Sequence, residues 1–485
     1  MPPFSFIDID VPHSFRVAKH GVMANQLSDV VTIRVGGQIF QTSKQTLTVS
    51  GSKLLNSLIH DQGDRFLDRD SDLFSILLSL LRTGTLPSKA RLFDLEDLIA
   101  EAQFYGIEHL LIRAISCSEL FEPFNLEKAL SLPLPGRDFA SAMSATSFGS
   151  LHVAHGSKIT SFDWALRTKS TILTEFPAID SLVTIKDKLV AAGATDFYGM
   201  QVIDLNGGIV RKRLDWENMT KSGSTVQAIG SSPDLLFTSF EAGRRNSNCI
   251  VAYDINSFSP VAEIGHSEVY GANLGEAIPA TKLEWAASHG LLMAAGSHGG
   301  PSGFIGNVRL WDVRSGAAVW ELKEGFDCFS DITFSENWSS IFKVGLNSGD
   351  VCFADLRKLG APERSSPWIC LGEKRKTVAN GKKEGLGCKI AAHGGQVFVS
   401  RGGDIELWSE VMMTSPTNGD VPSPERVFRR NVMGRASDRG LPKITHLGFG
   451  GNKMFVTRSC RQSIEVWQSS HALTSWGISG IRHRG

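Results

Sequence analysis

The feature that most constrains the fold is a strand-like segment that recurs seven times between residues 157 and 470. Each copy starts at a turn with glycine or a polar residue, continues through β-prone residues and closes at a polar marker residue. The markers are Asp163, Asp204, Asp254, Asp312, Asp355, Ser409 and Gln468. Markers spaced by roughly 40 to 60 residues are typical of folds that repeat one supersecondary unit. We therefore predict seven repeats, each too small to bury a core without its neighbours.

The two parts of the chain differ in composition. All 10 tryptophans lie between Trp164 and Trp476, whereas the preceding residues are rich in leucine and helical in pattern. Pro133, Pro135 and Gly136 disfavour a helix where the pattern changes. The predicted divisions are an N-terminal extension at 1–28, a first domain at 29–115, a linker with a short helix at 116–136 and a β domain at 137–485.

Net charge and cysteine usage narrow the function classes. The 50 Lys and Arg residues balance 50 Asp and Glu residues, so the charge favours neither nucleic acid nor a membrane as partner. The 7 cysteines include no CxxC pair, and the first residues lack the basic segment of a signal peptide. We therefore expect reduced thiols and a cytoplasmic location, with the nucleus as a second compartment. The basic run at 373–383 is interpreted as a solvated loop, with a nuclear localisation signal as the alternative.

The segment Val30–Thr42 places Gly36 and Gly37 between two β-prone runs. A phosphate-binding loop would need a helix directly after the glycines and GxxxxGK[ST] or GxGxxG spacing, which the segment lacks. Glycine takes positive φ without steric cost. The pair therefore predicts a tight β-hairpin.

Helix signals follow this hairpin. Ser50 or Ser52 is a candidate N-cap for a helix that carries Leu54, Leu55 and Leu58. Further on, the segment 94–115 reads as two helices that meet at Gly106, with Asp94 as the N-cap of the first.

The helix predicted after Asp70 or Ser71 is apolar on almost every side. Gly84 and Pro87 mark its end. Such a helix needs a second partner for the face that its own domain leaves uncovered. We expect three of its apolar residues to be partly exposed in the monomer and covered in an oligomer, namely Leu73, Ile76 and Leu80.

Three segments in the first domain resemble the BTB domain of the potassium-channel tetramerisation type, as found in KCTD proteins. They are "VTIRVGGQIFQTSKQTLT", "FLDRDSDLFSILLSLLRTGTLP" and "EAQFYGIEHL". The resemblance implies a small α/β domain that self-associates and often binds a cullin of the cullin-3 type. Channel members add transmembrane helices, but the longest apolar run here, at 73–81, is far shorter than the ~20 residues that cross a bilayer.

The same resemblance implies two sets of site residues. The expected oligomer interface comprises Asp68, Arg69, Asp70, Leu73, Ile76 and Leu80. The expected cullin-binding segment comprises Leu58, Ile59, His60 and Asp61. The charged run Asp68–Asp70 has a second interpretation, as a helix cap within a solvated charge cluster. Other BTB classes use a φ-x-E motif for cullin binding, which the type that this chain resembles lacks.

No residue is assigned a catalytic, cofactor-binding or metal-binding role. Some channel members hold an interface zinc through a cluster that ends in a cysteine pair, whereas only His109 and Cys117 lie in the corresponding region here. GxSxG, HExxH and P-loop motifs are likewise absent from the sequence. A hydrolase built on the β domain would require titratable residues that converge at its centre.

The recurring segments resemble the repeats of WD-type β-propellers, although only "LWDV" at 310–313 has the full signature. The expected fold class is multidomain, with an N-terminal α/β BTB/POZ domain followed by an all-β propeller of the WD type with seven blades. We expect a strand from 472–478 to close the ring with the segment after residue 136. A second basic stretch, at 426–440, is interpreted as an insertion between strands. BTB and propeller together resemble plant BTB/POZ–WD-repeat-like proteins.

This combination predicts a substrate-specific adaptor of a cullin-3-type ubiquitin ligase. The BTB domain is expected to form a homo-oligomer and bind the cullin-3-type scaffold, and the propeller to bind a substrate protein whose identity the sequence leaves open. Self-association would present several propellers at once and so raise their effective concentration. The alternative is an oligomeric signalling scaffold that acts without a cullin. In neither case do we expect an enzyme, a cofactor, nucleic acid or a membrane to be involved.

Overall fold

A computed structural model of the chain divides it into two units, Met1–Ile115 and Ser116–Gly485. The residues that the structure describes are 29–60, 66–116, 120–186, 188–242, 247–268, 278–300, 303–325, 327–359, 366–372, 383–411, 426–433 and 440–469. The predicted N-terminal extension and the predicted closing strand at 472–478 lie outside these ranges.

A three-stranded sheet forms one part of the N-terminal unit. Its strands are β1 (Val30–Val35), β2 (Gln38–Ser43) and β3 (Phe66–Leu67), in the order β2-β1-β3. The turn between β1 and β2 consists of Gly36 and Gly37 alone, with φ values of +51° and +86°. Positive φ at both central residues is the requirement of a type I′ hairpin turn. The predicted hairpin is therefore confirmed.

Five helices in the described residues complete this unit. They are α1 (Lys44–Val49), α2 (Lys53–His60), α3 (Ser71–Thr83), α4 (Leu95–Phe104) and α5 (Glu108–Ser116), with a 3₁₀ turn at Ser88–Leu92. None of the helices in the described ranges has the length and apolar character that crossing a bilayer requires.

Side-chain caps fix where these helices begin. Oδ1 of Asp70 accepts hydrogen bonds from the backbone N–H groups of Asp72 and Leu73 at 2.8 and 2.9 Å. Oγ of Ser52 accepts from N–H of Leu55 at 3.2 Å. Asp94 caps α4 in the same way. Each of these residues was a candidate N-cap in the sequence, and each satisfies N–H groups that the first helical turn leaves without partners.

The C-terminal unit is built from antiparallel strands in sheets of four. Five of these sheets are separate in the described residues, and an eight-stranded sheet divides into two groups of four at the single pair Tyr198–Thr225. The first four groups are β5 (Ala142–Ala145), β6 (Leu151–His155), β7 (Lys158–Phe162), β8 (Lys169–Leu173); β9 (Ser181–Lys186), β10 (Leu189–Ala194), β11 (Phe197–Asp204), β12 (Ile209–Leu214); β13 (Ser224–Ser231), β14 (Leu235–Ala242), β15 (Ser247–Asp254), β16 (Pro260–Glu268); and β17 (Lys282–Ala286), β18 (Leu291–Gly300), β19 (Gly303–Asp312), β20 (Ala317–Glu324).

The remaining groups follow the same pattern. They are β21 (Phe329–Ser335), β22 (Ser340–Gly345), β23 (Val351–Asp355), β24 (Ile369–Cys370); β25 (Ile390–His393), β26 (Gln396–Arg401), β27 (Asp404–Val411), β28 (Val427–Met433); and β29 (Ile444–Gly450), β30 (Lys453–Arg458), β31 (Ser463–Ser469), β4 (Leu126–Pro133). The first strand of each group neighbours the first strand of the next, and β29 neighbours β5. Apolar clusters fill the spaces between successive groups. The expected all-β propeller is therefore confirmed.

The recurring segment of the sequence is the third strand of each group, from β7 to β31. The aspartate markers lie at the end of this strand and accept hydrogen bonds from the next turn. Asp254, for example, accepts from N–H of Asn256 at 3.1 Å and of Ser257 at 2.7 Å. Asp204 and Asp312 make the corresponding bonds. The repeat is visible in the sequence because this Asp-turn recurs at the end of five of the seven third strands.

Strand β4 corrects the predicted linker. Residues 116–136 were expected to connect the domains, but Leu126–Pro133 pairs with β31 and completes the last sheet. The predicted short helix is a 3₁₀ turn at Pro123–Asn125. The ring is therefore closed by a segment that precedes residue 136, and the β domain begins earlier than predicted.

The expectation that all cysteines are reduced is wrong for one pair. Cys352 on β23 and Cys370 on β24 lie directly opposite each other and form a disulfide. Direct opposition on neighbouring antiparallel strands brings Cβ atoms within disulfide reach. The described free cysteines are Cys249, Cys328, Cys388 and Cys460.

Replacement of Asp70 tests the cap of α3. We expect Asp70→Ala to lower the free energy of unfolding of the N-terminal unit by about 1 kcal/mol, because two N–H groups lose their acceptor. Far-ultraviolet circular dichroism reports this unit, since the α-helices of the described residues lie within it, whereas tryptophan fluorescence reports the C-terminal unit.

Asp68→Ala is the matched control, because Asp68 is also exposed but caps no helix. An equal effect of both substitutions on the dichroism transition would contradict the capping role of Asp70.

Candidate interaction surfaces

One face of the N-terminal sheet exposes large apolar side chains. Arg34 lies opposite Ile39 of β2 on one side and opposite Phe66 of β3 on the other. Directly opposed residues share a face of a sheet, so these three side chains form a row across all three strands. Ile39 is 66% exposed, Phe66 49% and Val30, at the start of β1, 48%. We call Val30, Arg34, Ile39 and Phe66 the outer sheet face.

The charged run next to β3 shows the capping role that the sequence allowed. Asp70 caps α3, and Arg69 forms an ion pair with Glu101 at 2.7 Å. The guanidinium of Arg69 also lies 4.4 Å from the centre of the Phe104 ring, in cation–π geometry. Asp68 is exposed. The capping interpretation is thus observed for Asp70, and the intersubunit contact stays a prediction.

The expected exposure of α3 is wrong. Leu73, Ile76 and Leu80 are only 7%, 0% and 2% exposed. The helix is buried on almost every side within its own unit, where Phe74 packs against the ring of Tyr105. These leucine and isoleucine side chains have no free area to offer a second copy of the chain.

The predicted cullin-binding segment lies at the end of α2. Leu58 is buried, with 7% exposure, and belongs to the core of the unit. Ile59 is half-buried and His60 is exposed. Asp61 lies outside the described residues. Of this set, Ile59 and His60 present side chains on the surface.

The first strands of all seven groups line a central cavity of about 760 Å³ in the C-terminal unit. Its lining combines apolar residues with a cluster of charged and imidazole groups. The cluster comprises Asp180, Lys282, Glu284, Asp331, Lys389, His393 and His446. Cavities of this size accommodate small ligands or an inserted side chain.

Part of this cluster ties three neighbouring first strands together. Nζ of Lys282 on β17 donates to Oδ1 of Asp331 on β21 at 3.0 Å. The other carboxylate oxygen of Asp331 accepts from N–H of Ile390 on β25 at 3.0 Å. Oγ1 of Thr333 on β21 donates to the carboxylate of Glu284 on β17 at 3.1 Å, which adds a second bond between these two strands.

The charges in the cavity depend on one another. Burial disfavours a charged ammonium, but the carboxylates of Asp331 and Glu284 outweigh it and raise the pKa of Lys282. Burial raises the pKa of Glu284, and the Lys282 charge opposes this shift. Lys282 thus stays protonated and compensates the buried carboxylates.

Two histidines in the cavity are neutral. Burial and the Lys389 charge lower the pKa of His446 to about 4, and burial lowers the pKa of His393 to about 4. Nδ1 of His446 is 2.9 Å from Oγ1 of Thr457. His393 stacks on the Phe449 ring at a centroid distance of 4.7 Å. Both rings therefore act as packed side chains.

Titratable groups do converge at the centre, which is the condition that a hydrolase would require. Their bonds, however, are directed at neighbouring strands: Asp331 binds Lys282 and a backbone amide, and Thr457, beside His446, is only 1% exposed. A nucleophile must be accessible to its substrate. We interpret the cluster as structural. Sequence reasoning missed it, and the available signal was the polar residues that alternate with apolar ones in "KLEW" and "SDITF".

The structure describes part of the basic stretch at 426–440 but little of the one at 373–383. Most of 373–383 lies outside the described residues. The predicted insertion at 426–440 is corrected, because Val427–Met433 forms β28, the outermost strand of its sheet. Arg430 in this strand pairs with the buried carboxylate of Glu406.

Comparisons with known proteins match both units. A family model described as "BTB/POZ domain" matches residues 31–115. A second one, described as "At2g24240-like, C-terminal beta propeller", matches residues 135–469. Both resemblances that the sequence suggested are therefore confirmed, and neither description names an enzyme.

Individual relatives agree with this result. The BTB/POZ domain-containing protein At5g41330 of Arabidopsis thaliana is 56% identical over 447 residues, which cover 91% of this chain and 96% of that protein. The BTB/POZ domain-containing protein At4g30940 of the same species is 27% identical and covers 91% of this chain and 98% of its own length. The human BTB/POZ domain-containing protein KCTD3 is 35% identical over 100 residues, or 19% of this chain and 12% of that protein.

The neutral His446 predicts a pH-dependent stability of the C-terminal unit. Below about pH 6.5 the unfolded chain takes up a proton on this histidine, whereas the folded state does so only near pH 4. Stability is therefore lost as the pH falls through this window, by about 1.4 kcal/mol per pH unit for each such histidine. Urea unfolding followed by tryptophan fluorescence should show His446→Gln losing about 2 kcal/mol less than the wild type between about pH 7 and pH 5.

The exposed His289 provides the control substitution, His289→Gln. If His446→Gln and His289→Gln gave the same pH dependence as the wild type, burial of the His446 imidazole in its neutral form would be refuted.

Proposed function

Because the chain belongs to the family of BTB/POZ proteins with an At2g24240-like C-terminal β-propeller, we propose that it is a non-enzymatic substrate adaptor of a cullin-3-type ubiquitin ligase. The N-terminal unit assembles copies of the chain and binds the cullin, and the propeller binds the substrate protein. The cytoplasm, with the nucleus as a second compartment, is the proposed location.

The outer sheet face is the observation that carries the assembly role. Ile39 and Phe66 expose apolar area on either side of Arg34, and Val30 exposes further apolar area at the start of the same strand. Several large apolar side chains exposed on one face of a sheet favour an interaction site in a soluble protein. A central apolar area with an arginine is also the composition of interface centres. We propose this face, together with the neighbouring Asp68–Asp70 run, as the surface between copies, in place of the buried α3 leucines.

The end of α2 supports the cullin contact. Ile59 offers a half-buried apolar side chain beside the exposed imidazole of His60. Leu58 is buried and packs α2 against the core of its unit, so it supports the proposed cullin surface without forming part of it. The cullin surface is therefore proposed around Ile59 and His60.

The propeller is suited to substrate capture because its framework is rigid. Hydrogen bonds between first strands, such as Lys282 to Asp331, fix the cavity wall. Loops on a rigid scaffold can then differ in chemistry without loss of the fold. A substrate bound weakly by one propeller would be held more strongly by an oligomer.

Self-association is tested with the intact chain by light scattering at micromolar concentration. We expect a mass of several subunits for the wild type and a smaller mass for Ile39→Asp and Phe66→Asp, because a carboxylate in a buried apolar contact is unfavourable. Val49→Asp is the matched control, since Val49 is 64% exposed on α1, outside the outer sheet face. A monomeric wild type, or an oligomer unaffected by both substitutions, would contradict the assigned surface.

Cullin binding is tested by calorimetry with the N-terminal domain of a cullin-3-type protein. We expect a dissociation constant below about 1 μM and at least a tenfold weaker interaction for Ile59→Asp. Lys53→Asp, at the other exposed end of α2, is the control.

The two outcomes separate the proposed function from its alternative. Binding that Ile59→Asp weakens and Lys53→Asp preserves supports the ligase adaptor. An intact oligomer that fails to bind the cullin would instead identify the chain as a signalling scaffold that uses the same two units.

A further inference from the structure

Three side chains with metal-binding atoms meet on β15 and the edge strand β16. Sγ of Cys249, a carboxylate oxygen of Glu263 and a ring nitrogen of His266 all lie within 4.8 Å of one another. Cys249 is 1% exposed, whereas the other two side chains reach the surface. The thiol therefore lies at the base of the group, and the carboxylate and imidazole form its open side.

A β-bulge brings the imidazole to this position. The register of β15 and β16 shifts so that the single residue Cys249 faces two residues, Gly265 and His266. Gly265 has φ of +65°, a conformation that favours glycine. Glu263 lies opposite Val251, which shares the side of the strand on which Cys249 points. Bulges are frequent where a strand must re-aim a side chain.

A fourth residue orients the imidazole. Nε2 of His266 is 3.4 Å from Oε1 of Glu268, whose side chain is only 12% exposed. A carboxylate that accepts from one ring nitrogen fixes the tautomer and makes the other nitrogen a better metal ligand. The His266 ring is also held edge-on to Trp216, at a centroid distance of 5.6 Å.

We propose that Cys249, Glu263 and His266 form a zinc site, with Glu268 as the positioning residue of the histidine. Thiolate sulfur, imidazole nitrogen and carboxylate oxygen are ligands that Zn²⁺ uses, and three of them leave one tetrahedral position for water or a partner's side chain. The positive charge of the ion compensates the carboxylate of Glu263. Binding releases the thiol proton of Cys249 to solvent.

Small rotations of exposed side chains complete the geometry. Zinc bonds to nitrogen, oxygen and sulfur are about 2.0 to 2.3 Å long, which puts two tetrahedral ligand atoms roughly 3.3 to 3.8 Å apart. The three atoms, which lie within 4.8 Å of one another, must therefore move closer together by up to about 1 Å. We expect the exposed Glu263 side chain to make most of this movement, because His266 is held by Glu268 and Trp216 and Cys249 is buried.

The test is zinc binding by the full chain that carries Cys460→Ser, because Cys460 is an exposed thiol outside the site. Zinc is titrated against a chromophoric chelator, and its stoichiometry is measured by mass spectrometry after gel filtration. We expect one high-affinity zinc per chain, at least tenfold weaker binding for His266→Ala and Glu263→Gln, and a tenfold to hundredfold loss for Glu268→Gln. Both ligand substitutions are at surface side chains, so they test the site even if Cys249→Ala fails to fold.

The control is His289→Ala, which removes an exposed histidine from another part of the same unit. Cobalt as the probe should give a sulfur-to-metal charge-transfer band in the parent chain and in His289→Ala. Equal zinc affinity in His266→Ala, Glu263→Gln and His289→Ala would overturn the proposal, as would failure of the parent chain to retain zinc.

Discussion

The C-terminal unit depends on one pairing, between β4 at its start and β31 near its end. The two strands pair from Leu126 to Pro133, and so the last sheet is complete only when both ends of the unit have met. Glu465 reinforces this pairing: it accepts from Nζ of Lys128 at 2.8 Å and forms an ion pair with Arg458 at 3.0 Å. Burial opposes the charge of Glu465, but these two cations hold its pKa below the usual value. Arg458 also donates to the carbonyl oxygen of Gly403, which directly precedes β27, and so links the last sheet to the neighbouring one. Closure leaves each sheet packed between two others, which is why four short strands can be stable there.

Local signals in the sequence were sufficient wherever a conformation depends on a few adjacent residues. Gly36 and Gly37 turn the first hairpin because positive φ is inexpensive for glycine. Asp70 begins α3 because its carboxylate reaches two amides of the next turn. The aspartate markers made the repeats visible for the same reason, since each closes a turn through its own side chain. The existence, type and approximate limits of these elements could therefore be predicted.

What the sequence did not predict depends on partners that are distant along the chain. The sequence of α3 predicts an apolar helix, but it does not show how much of the helix surface is buried within the N-terminal unit. Leu73 and Ile76, which we expected to be partly exposed, are buried there. Pro133 suggested a linker, because nothing nearby indicates that β31 lies beside β4. The Cys352–Cys370 disulfide and the Cys249 cluster arise from the register of neighbouring strands, and neither has a short motif. The charged lining of the cavity has the same origin, since Lys282 and Asp331 belong to different sheets.

The two units differ in where their polar and apolar side chains lie, and this difference suits them to different parts of a protein-interaction role. The polar groups inside the propeller are directed at one another, so its framework is stabilised from within and its loops are available for recognition. The N-terminal unit has the opposite character, because its core is complete while apolar side chains such as Ile39 remain on the outer sheet face. If copies assemble through that face as proposed, one substrate would meet several propellers, and effective concentration would replace part of the affinity that a single propeller needs.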